Sequence, residues 1–309
     1  MPHAKNWSRP IDLGDRRILR PGPLRWLRAL GWMTALFFLI VLTAYPLTDF
    51  LGRQLPDKGV WPFLVHSAGA IVAILAYTIA VWLAEGRRPT ELAPRPALLH
   101  CAAGLTIGAA VFTAVMTTMI VFGLYEVTLQ GPVPAWRAAG LAIEAGVIEE
   151  IMVRAVVLRL LWRAFGPWAA FIVSAAVFGA SHLGNSDSSL FAAFCIAIEA
   201  GVMLGAFYAL TGRLWVSIGV HAGWNFTQGY LFGAAVSGND YGPALAKSVA
   251  LQDVPAWLTG GTFGPEASLP GLLICAAVGW ATVWAAYKRG RFTRPQSASP
   301  LSSDLEPLP

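Results

Sequence analysis

Two adjacent glutamates and an arginine, Glu149, Glu150 and Arg154, sit inside the otherwise apolar run AGLAIEAGVIEEIMVRAVVLRLLW. A carboxylate at the centre of a bilayer costs about 2.5 to 3.5 kcal/mol on insertion scales, so it is kept for a partner or a task. Glu150 and Arg154 are four residues apart and share a helical face, which predicts an ion pair clamping helices together. Glu149 falls about 100° further round the helix and is free to face a cavity. A carboxyl so placed has the chemistry of a general base.

Two histidine-containing pairs repeat the one-turn spacing. Phe178 and His182 lie in VFGASHLGN, and His221 and Asn225 lie in LWVSIGVHAGWNF. Singly, each histidine reads as a hydrogen-bonded packing residue. Together with a glutamate diad in neighbouring apolar runs, they read as one site. His3 falls in the N-terminal stretch, and His66 and His100 lie near membrane boundaries with no acidic companion, so these three are assigned to packing. Glu199, in another apolar run, is a carboxylate without an assigned partner; it either bonds a neighbouring helix or lines the cavity.

Such residues need a scaffold, and the composition names its solvent. The chain of 309 residues is 56% hydrophobic and 13% charged, too little polar surface for a fold in water. Eight apolar runs are drawn, over residues 30–51, 61–84, 97–125, 134–165, 167–183, 189–210, 214–233 and 269–287. Their length suits about 30 Å of hydrocarbon. The prediction is an all-α, polytopic transmembrane helical bundle of about eight helices. A transmembrane barrel would show alternating segments of about ten residues instead. Gly166-Pro167 and Thr211-Gly212 separate close neighbours. The first run follows a long basic stretch and lacks a small-residue cleavage site, so it reads as an anchor.

The basic residues flank the apolar runs rather than forming one stripe, so the net charge of +5 reads as topology and not as nucleic-acid binding. With both termini cytoplasmic, Arg16, Arg17, Arg87, Arg88, Arg159, Arg163, Arg291 and most other cations fall inside, leaving Arg53, Lys58, Arg137 and Lys247 outside. A multi-pass protein of the plasma (inner) membrane is expected. Its organisation is a basic cytoplasmic segment over 1–29, N-terminal membrane helices over 30–125, a core over 134–233, an extramembrane loop over 234–268, a last helix over 269–287 and a disordered tail over 288–309. Cys101, Cys195 and Cys275 lie far apart in apolar runs, without C-x-x-C spacing, and are read as packing residues. Counting about 1.5 Å per residue from the cytoplasmic ends puts His221 at about 10 Å and His182 at about 22 Å, which a tilted or broken fifth helix would reconcile.

The motifs Glu149-Glu150-Ile-Met-Val-Arg154, Phe178-Gly-Ala-Ser-His182 and His221-Ala-Gly-Trp-Asn225 occur in that order. They resemble the E-E-x-x-x-R, F-x-x-x-H and H-x-x-x-N motifs of the CAAX protease and bacteriocin-processing family, glutamate-dependent intramembrane endopeptidases that include the type II CAAX prenyl endopeptidases. The resemblance covers about 134–230, and the later GGTFGPEAS is similar to a segment of some bacterial members. It implies that Glu149 activates water for attack on a peptide carbonyl, that His182 helps to position the water, and that His221 and Asn225 stabilise the oxyanion. Glu150, Arg154 and Phe178 would support them. Glu149, His182 and His221 could alternatively be three zinc ligands with water as the fourth. H-E-x-x-H is absent and asparagine is a poor zinc ligand, so no cofactor is favoured.

The resemblance implies a membrane-associated or lipid-modified protein or peptide as substrate, with the lipid bilayer as the other partner. Two other classes compete. An ion-coupled transporter also uses buried Glu and His, though the repeated halves of such folds are not evident. A non-catalytic membrane scaffold or immunity protein would keep the site for binding alone.

Overall fold

The computed structural model describes residues 7–292. His3, Lys5, Arg294 and nearly all of the tail expected to be disordered lie outside them.

The chain runs up and down as helices. α1 (Arg25–Gln54) is followed by α2 (Trp61–Ala80), which widens into a π-helical turn over Val81–Glu85 and is turned by Gly86 in the left-handed region. α3 (Ala97–Val121) leads to a short strand, β1 (Tyr125–Leu129). α4 (Trp136–Glu150) continues through a π-helical stretch, Ile151–Leu158, into α5 (Arg159–Phe165). Gly166, with φ of 92°, and Pro167 at the first position of α6 (Pro167–Ser181) make the expected break. α7 (Leu190–Ile196) passes through the π-helical Ala197–Leu204 into α8 (Gly205–Thr211), ended by left-handed Gly212. α9 (Leu214–Phe226) ends in a π-helical turn, Thr227–Leu231. β2 (Ala246–Ala250), α10 (Ala256–Thr259) and α11 (Leu269–Lys288) complete the described chain.

Among the described residues six helical segments are long and apolar enough to cross a membrane: 25–54, 61–85, 97–121, 167–184, 190–211 and 269–288. The other two expected segments are helical but more polar or shorter. The stretch from α4 to α5 carries the glutamates and arginines of the first motif, and α9 itself has 13 residues. Both pack among the apolar helices, α4 on α2 and α9, and α9 on α3.

The structure adds a two-stranded sheet that the sequence reading lacks. β1 pairs antiparallel with β2, from Tyr125 opposite Ala250 to Leu129 opposite Ala246. The apolar run drawn to residue 125 stops as a helix at Val121, where Phe122 and left-handed Gly123 release the chain. Strand formation here depends on a partner far away in sequence, which no local pattern reveals.

α9 is seated on α3 by glycines on both sides. A Cβ at Gly104 would stand 2.8 Å from the Gly219 Cα, one at Gly108 2.8 Å from the Trp224 nitrogen, and one at Gly223 2.8 Å from the Leu105 Cα. The helices therefore touch backbone to backbone, as small residues at four-residue spacing allow in membranes. Gly146 does the same for α4, where a Cβ would stand 3.1 Å from the Ile218 carbonyl oxygen of α9.

At the end of the bundle where α2 and α5 meet, charges form a closed network. Arg159 donates to both Glu85 oxygens, at 2.9 and 2.6 Å. Arg87 donates to Glu85 at 2.6 Å and to both oxygens of Glu91, at 2.9 and 2.8 Å. Trp32 also donates to Glu85, and the Tyr77 hydroxyl to Glu91. Part of the basic N-terminal segment packs on this end: Leu19 is fully buried, Arg163 donates to the carbonyls of Gly14 and Leu19, and the Arg9 amide bonds the Thr211 carbonyl.

Candidate active site

The first motif stands where α4 changes to a π-helix. That wider winding is rare and is frequent at functional sites. Glu150 and Arg154 are fully buried, and Arg154 Nε lies 3.1 Å from Glu150 Oε2. The contact is an ion pair without hydrogen-bond geometry, since neither atom has a hydrogen-bond partner. Arg154 donates instead to the Ala200 carbonyl, and its guanidinium covers the Phe178 ring at 4.8 Å. The ring edges of His182 and His221 meet the same phenylalanine, at centroid distances of 4.8 and 6.4 Å. Phe178 is thus the apolar plate between the three motifs.

His221 joins the two glutamates. Its Nδ1 is 3.1 Å from Glu150 Oε1 and its Nε2 is 3.9 Å from Glu149 Oε2. A carboxylate only accepts, so Nδ1 is the donor to Glu150 and Nε2 is turned toward Glu149. Glu149 keeps 26% of its side chain exposed, while Glu150 has none. Their positions on the helix separate the roles: one carboxyl is locked, the other accessible.

His182 caps α6 and begins a 3-10 turn, His182–Gly184. Its Nδ1 faces the Phe178 carbonyl oxygen at 2.8 Å. The short α6 ends here, so His182 hangs at the helix end. His182, His221 and Asn225 line one small cavity of about 40 Å³, with Phe178. Glu149 is outside that lining and approaches it at His221. Asn225 Nδ2 donates to the Tyr241 hydroxyl at 3.2 Å.

Tyr241, Ser237 and Glu266 are contributions that motif spacing did not reveal. All three come from the segment between α9 and α11, drawn from sequence as an outer loop. Tyr241 seats on Gly229, where a Cβ would stand 2.6 Å from the ring. Burial, and then the Glu149 charge, push its phenol well above the usual range, so the hydroxyl keeps its proton. Ser237 and Glu266 line the cavity, and so does Glu199. The GGTFGPEAS stretch was the available sign: left-handed Gly260 and Gly264 with φ of 128° fold it back so that Glu266 is buried.

His66 corrects the sequence reading. It has an acidic companion, with Nδ1 2.6 Å from Glu144 Oε2, and Thr48 donates to the other Glu144 oxygen at 2.7 Å. The partner was invisible because it lies on another helix. His100 is buried and stacks on Trp7 at 4.1 Å. The three cysteines are free. Among the described residues no three His, Cys, Asp or Glu side chains stand together as a ready metal-binding group.

Fold and site together define a multi-pass membrane protein with a small cavity to which His182, His221, Asn225, Glu199 and Glu266 bring polar groups. Residues 131–227, just under a third of the chain, match the family described as Rce1-like, type II CAAX prenyl endopeptidase Rce1-like. The match spans all three motifs and makes the resemblance to the CAAX protease family a finding. No curated protein and no solved structure matches the chain.

Proposed function

We propose that this protein is an intramembrane endopeptidase that uses water activated by Glu149 to cleave a peptide bond in a membrane-associated or lipid-modified substrate. The observation that carries the reading is His221, which reaches Glu150 with one nitrogen and turns the other toward Glu149 while lining the cavity shared with His182 and Asn225.

Each group has a role that follows from its surroundings. Glu149, accessible and beside a histidine, takes the proton of the attacking water. His182 orients that water from the end of α6. His221 and Asn225 supply donors to the oxyanion in a water-poor cavity, where fixed dipoles act strongly. His221 does so through Nε2–H when the ring is doubly protonated, because Nδ1–H is committed to Glu150. Glu150 and Arg154 hold the ring and the helix, and Tyr241 fixes the Asn225 amide. In this reading the two polar helical segments, 136–165 and 214–231, also cross the bilayer, and both termini are cytoplasmic in the plasma membrane.

Glu149→Ala is expected to lower cleavage of a reconstituted membrane substrate by about 10²-fold or more while the protein still inserts. Undiminished cleavage by purified Glu149→Ala protein would remove the proposal.

A further inference from the structure

The cavity that holds the histidines also holds two carboxyls that the proposed hydrolysis leaves idle. Glu199, on the π-helical stretch between α7 and α8, is 3% exposed, and neither of its oxygens has a hydrogen-bond partner among the described residues. Gly271 of α11 makes room for it: a Cβ there would stand 2.8 Å from Glu199 Oε1. Glu266, just before α11, is 2% exposed and accepts from the Ser237 amide at 2.6 Å and its hydroxyl at 2.5 Å. Burial pushes the Glu266 carboxyl above the usual range, although Ser237 and Gln228 bond to it and His182 lies close.

Buried polar groups are almost always satisfied, so an acid with two unpartnered oxygens facing a cavity calls for a donor. No lysine or arginine lines this cavity. A cationic donor would satisfy Glu199 and relieve the repulsion between two neighbouring carboxyls. The volume of about 40 Å³ exceeds the roughly 10–15 Å³ that one water needs. It has room for a group of ammonium size.

The polar walls of the cavity are complementary in kind. Histidine and asparagine supply donors, and Glu199 and Glu266 supply acceptors. A peptide group being hydrolysed asks for both: donors at the carbonyl oxygen, and acceptors at the nitrogen, which departs as an amine and is an ammonium at neutral pH. We propose that Glu199 and Glu266 form an amine subsite that takes the ammonium on the nitrogen side of the cleaved bond. The natural ligand's identity rests on the endopeptidase reading; the chemistry of the subsite does not.

The test uses the full-length protein in lipid nanodiscs and follows thermal unfolding against methylammonium chloride, with equal concentrations of tetramethylammonium chloride and sodium chloride as controls. Wild type and Glu149→Gln are expected to be stabilised by methylammonium beyond both controls. Glu199→Gln and Glu266→Gln should each weaken that response by about tenfold or more, the loss of one charge-assisted hydrogen bond. Equal responses in wild type and Glu199→Gln would overturn the proposal, and so would a wild-type response that tetramethylammonium matches. The wild-type comparison decides even if both variants fail to fold. Amine binding without any cleavage sinks the endopeptidase reading and leaves the subsite standing; cleavage without Glu199-dependent binding does the reverse.

Discussion

The buried charges of α2 and α5 and those of the cavity are organised on opposite lines. Around Glu85 and Glu91 every carboxylate oxygen is met by a guanidinium, an indole or a phenol, and Arg159 and Glu85 are fully buried. Around Glu149 and Glu199 the donors run out: one carboxyl is partly exposed beside His221, and the other has no partner among the described residues. A saturated network fastens helices, and its members have no capacity left for a ligand. An unsaturated one keeps binding capacity, at a cost in stability that the fastening elsewhere must offset.

That contrast can be broken by substitution, and the largest effects are expected at its two poles. Glu149→Ala should abolish cleavage and leave thermal stability nearly unchanged. Arg159→Ala should do the opposite. It removes both Arg159 hydrogen bonds to the buried Glu85 and leaves Arg87 and Trp32 as its donors, a loss of about 1.5–3 kcal/mol per charged hydrogen bond, and should lower Tm while the surviving folded fraction keeps its turnover. Equal losses of activity per folded molecule in both variants would dissolve the distinction.

Gly219→Val probes what joins the two regions. A Cβ at this position would already stand 2.9 Å from the Gly104 Cα, and overpacking of this kind costs about 1–3 kcal/mol. Because α9 carries His221 and Asn225, activity per folded molecule should fall as well, measured by cleavage after correction for the folded fraction. A variant that loses stability alone would show that the α3–α9 seam does not position the site.

The smallest effect is expected from pH. Burial works against ionisation of Glu91, but Arg87 more than offsets it and holds the carboxyl below its usual value of 4.5. The folded state then binds this proton more weakly than the unfolded chain does. Its contribution is present above pH 4.5 and is lost as pH falls through the folded value. Glu91→Gln should therefore unfold more easily at neutral pH and show a flatter loss of Tm with acid than wild type.

The helical architecture was legible because apolar length and charge spacing are local properties. The i, i+4 pairs likewise brought Phe178 with His182 and placed Glu150 beside Arg154. Depth along the helices was less legible. His182 reaches the site from the end of α6, where the run over 167–183 stops, but how that end stands against α9 is not written in hydropathy. The partners of His66, Asn225 and Glu85 lie on other elements, so no spacing rule finds them. Arg87, Arg159 and Arg163 were read from sequence as markers of sidedness, yet Arg159 and Arg163 are buried, Arg87 is mostly covered, and all three are bonded. A charge near a helix end looks alike in sequence whether it meets water or a carboxylate. Glu266 was hidden differently, since a segment rich in glycine and proline reads as a loop wherever it goes.

The seam between α3 and α9 has one further consequence. Where a large side chain meets a small one, a substitution that adds bulk on one side can be rescued by trimming the other. A Cβ on either Gly104 or Gly219 would stand within 3 Å of the other's Cα, and there is nothing smaller than glycine to retreat to. Mutations at that crossing have no second-site suppressor on the partner helix, so any sequence that keeps this crossing must keep both glycines together.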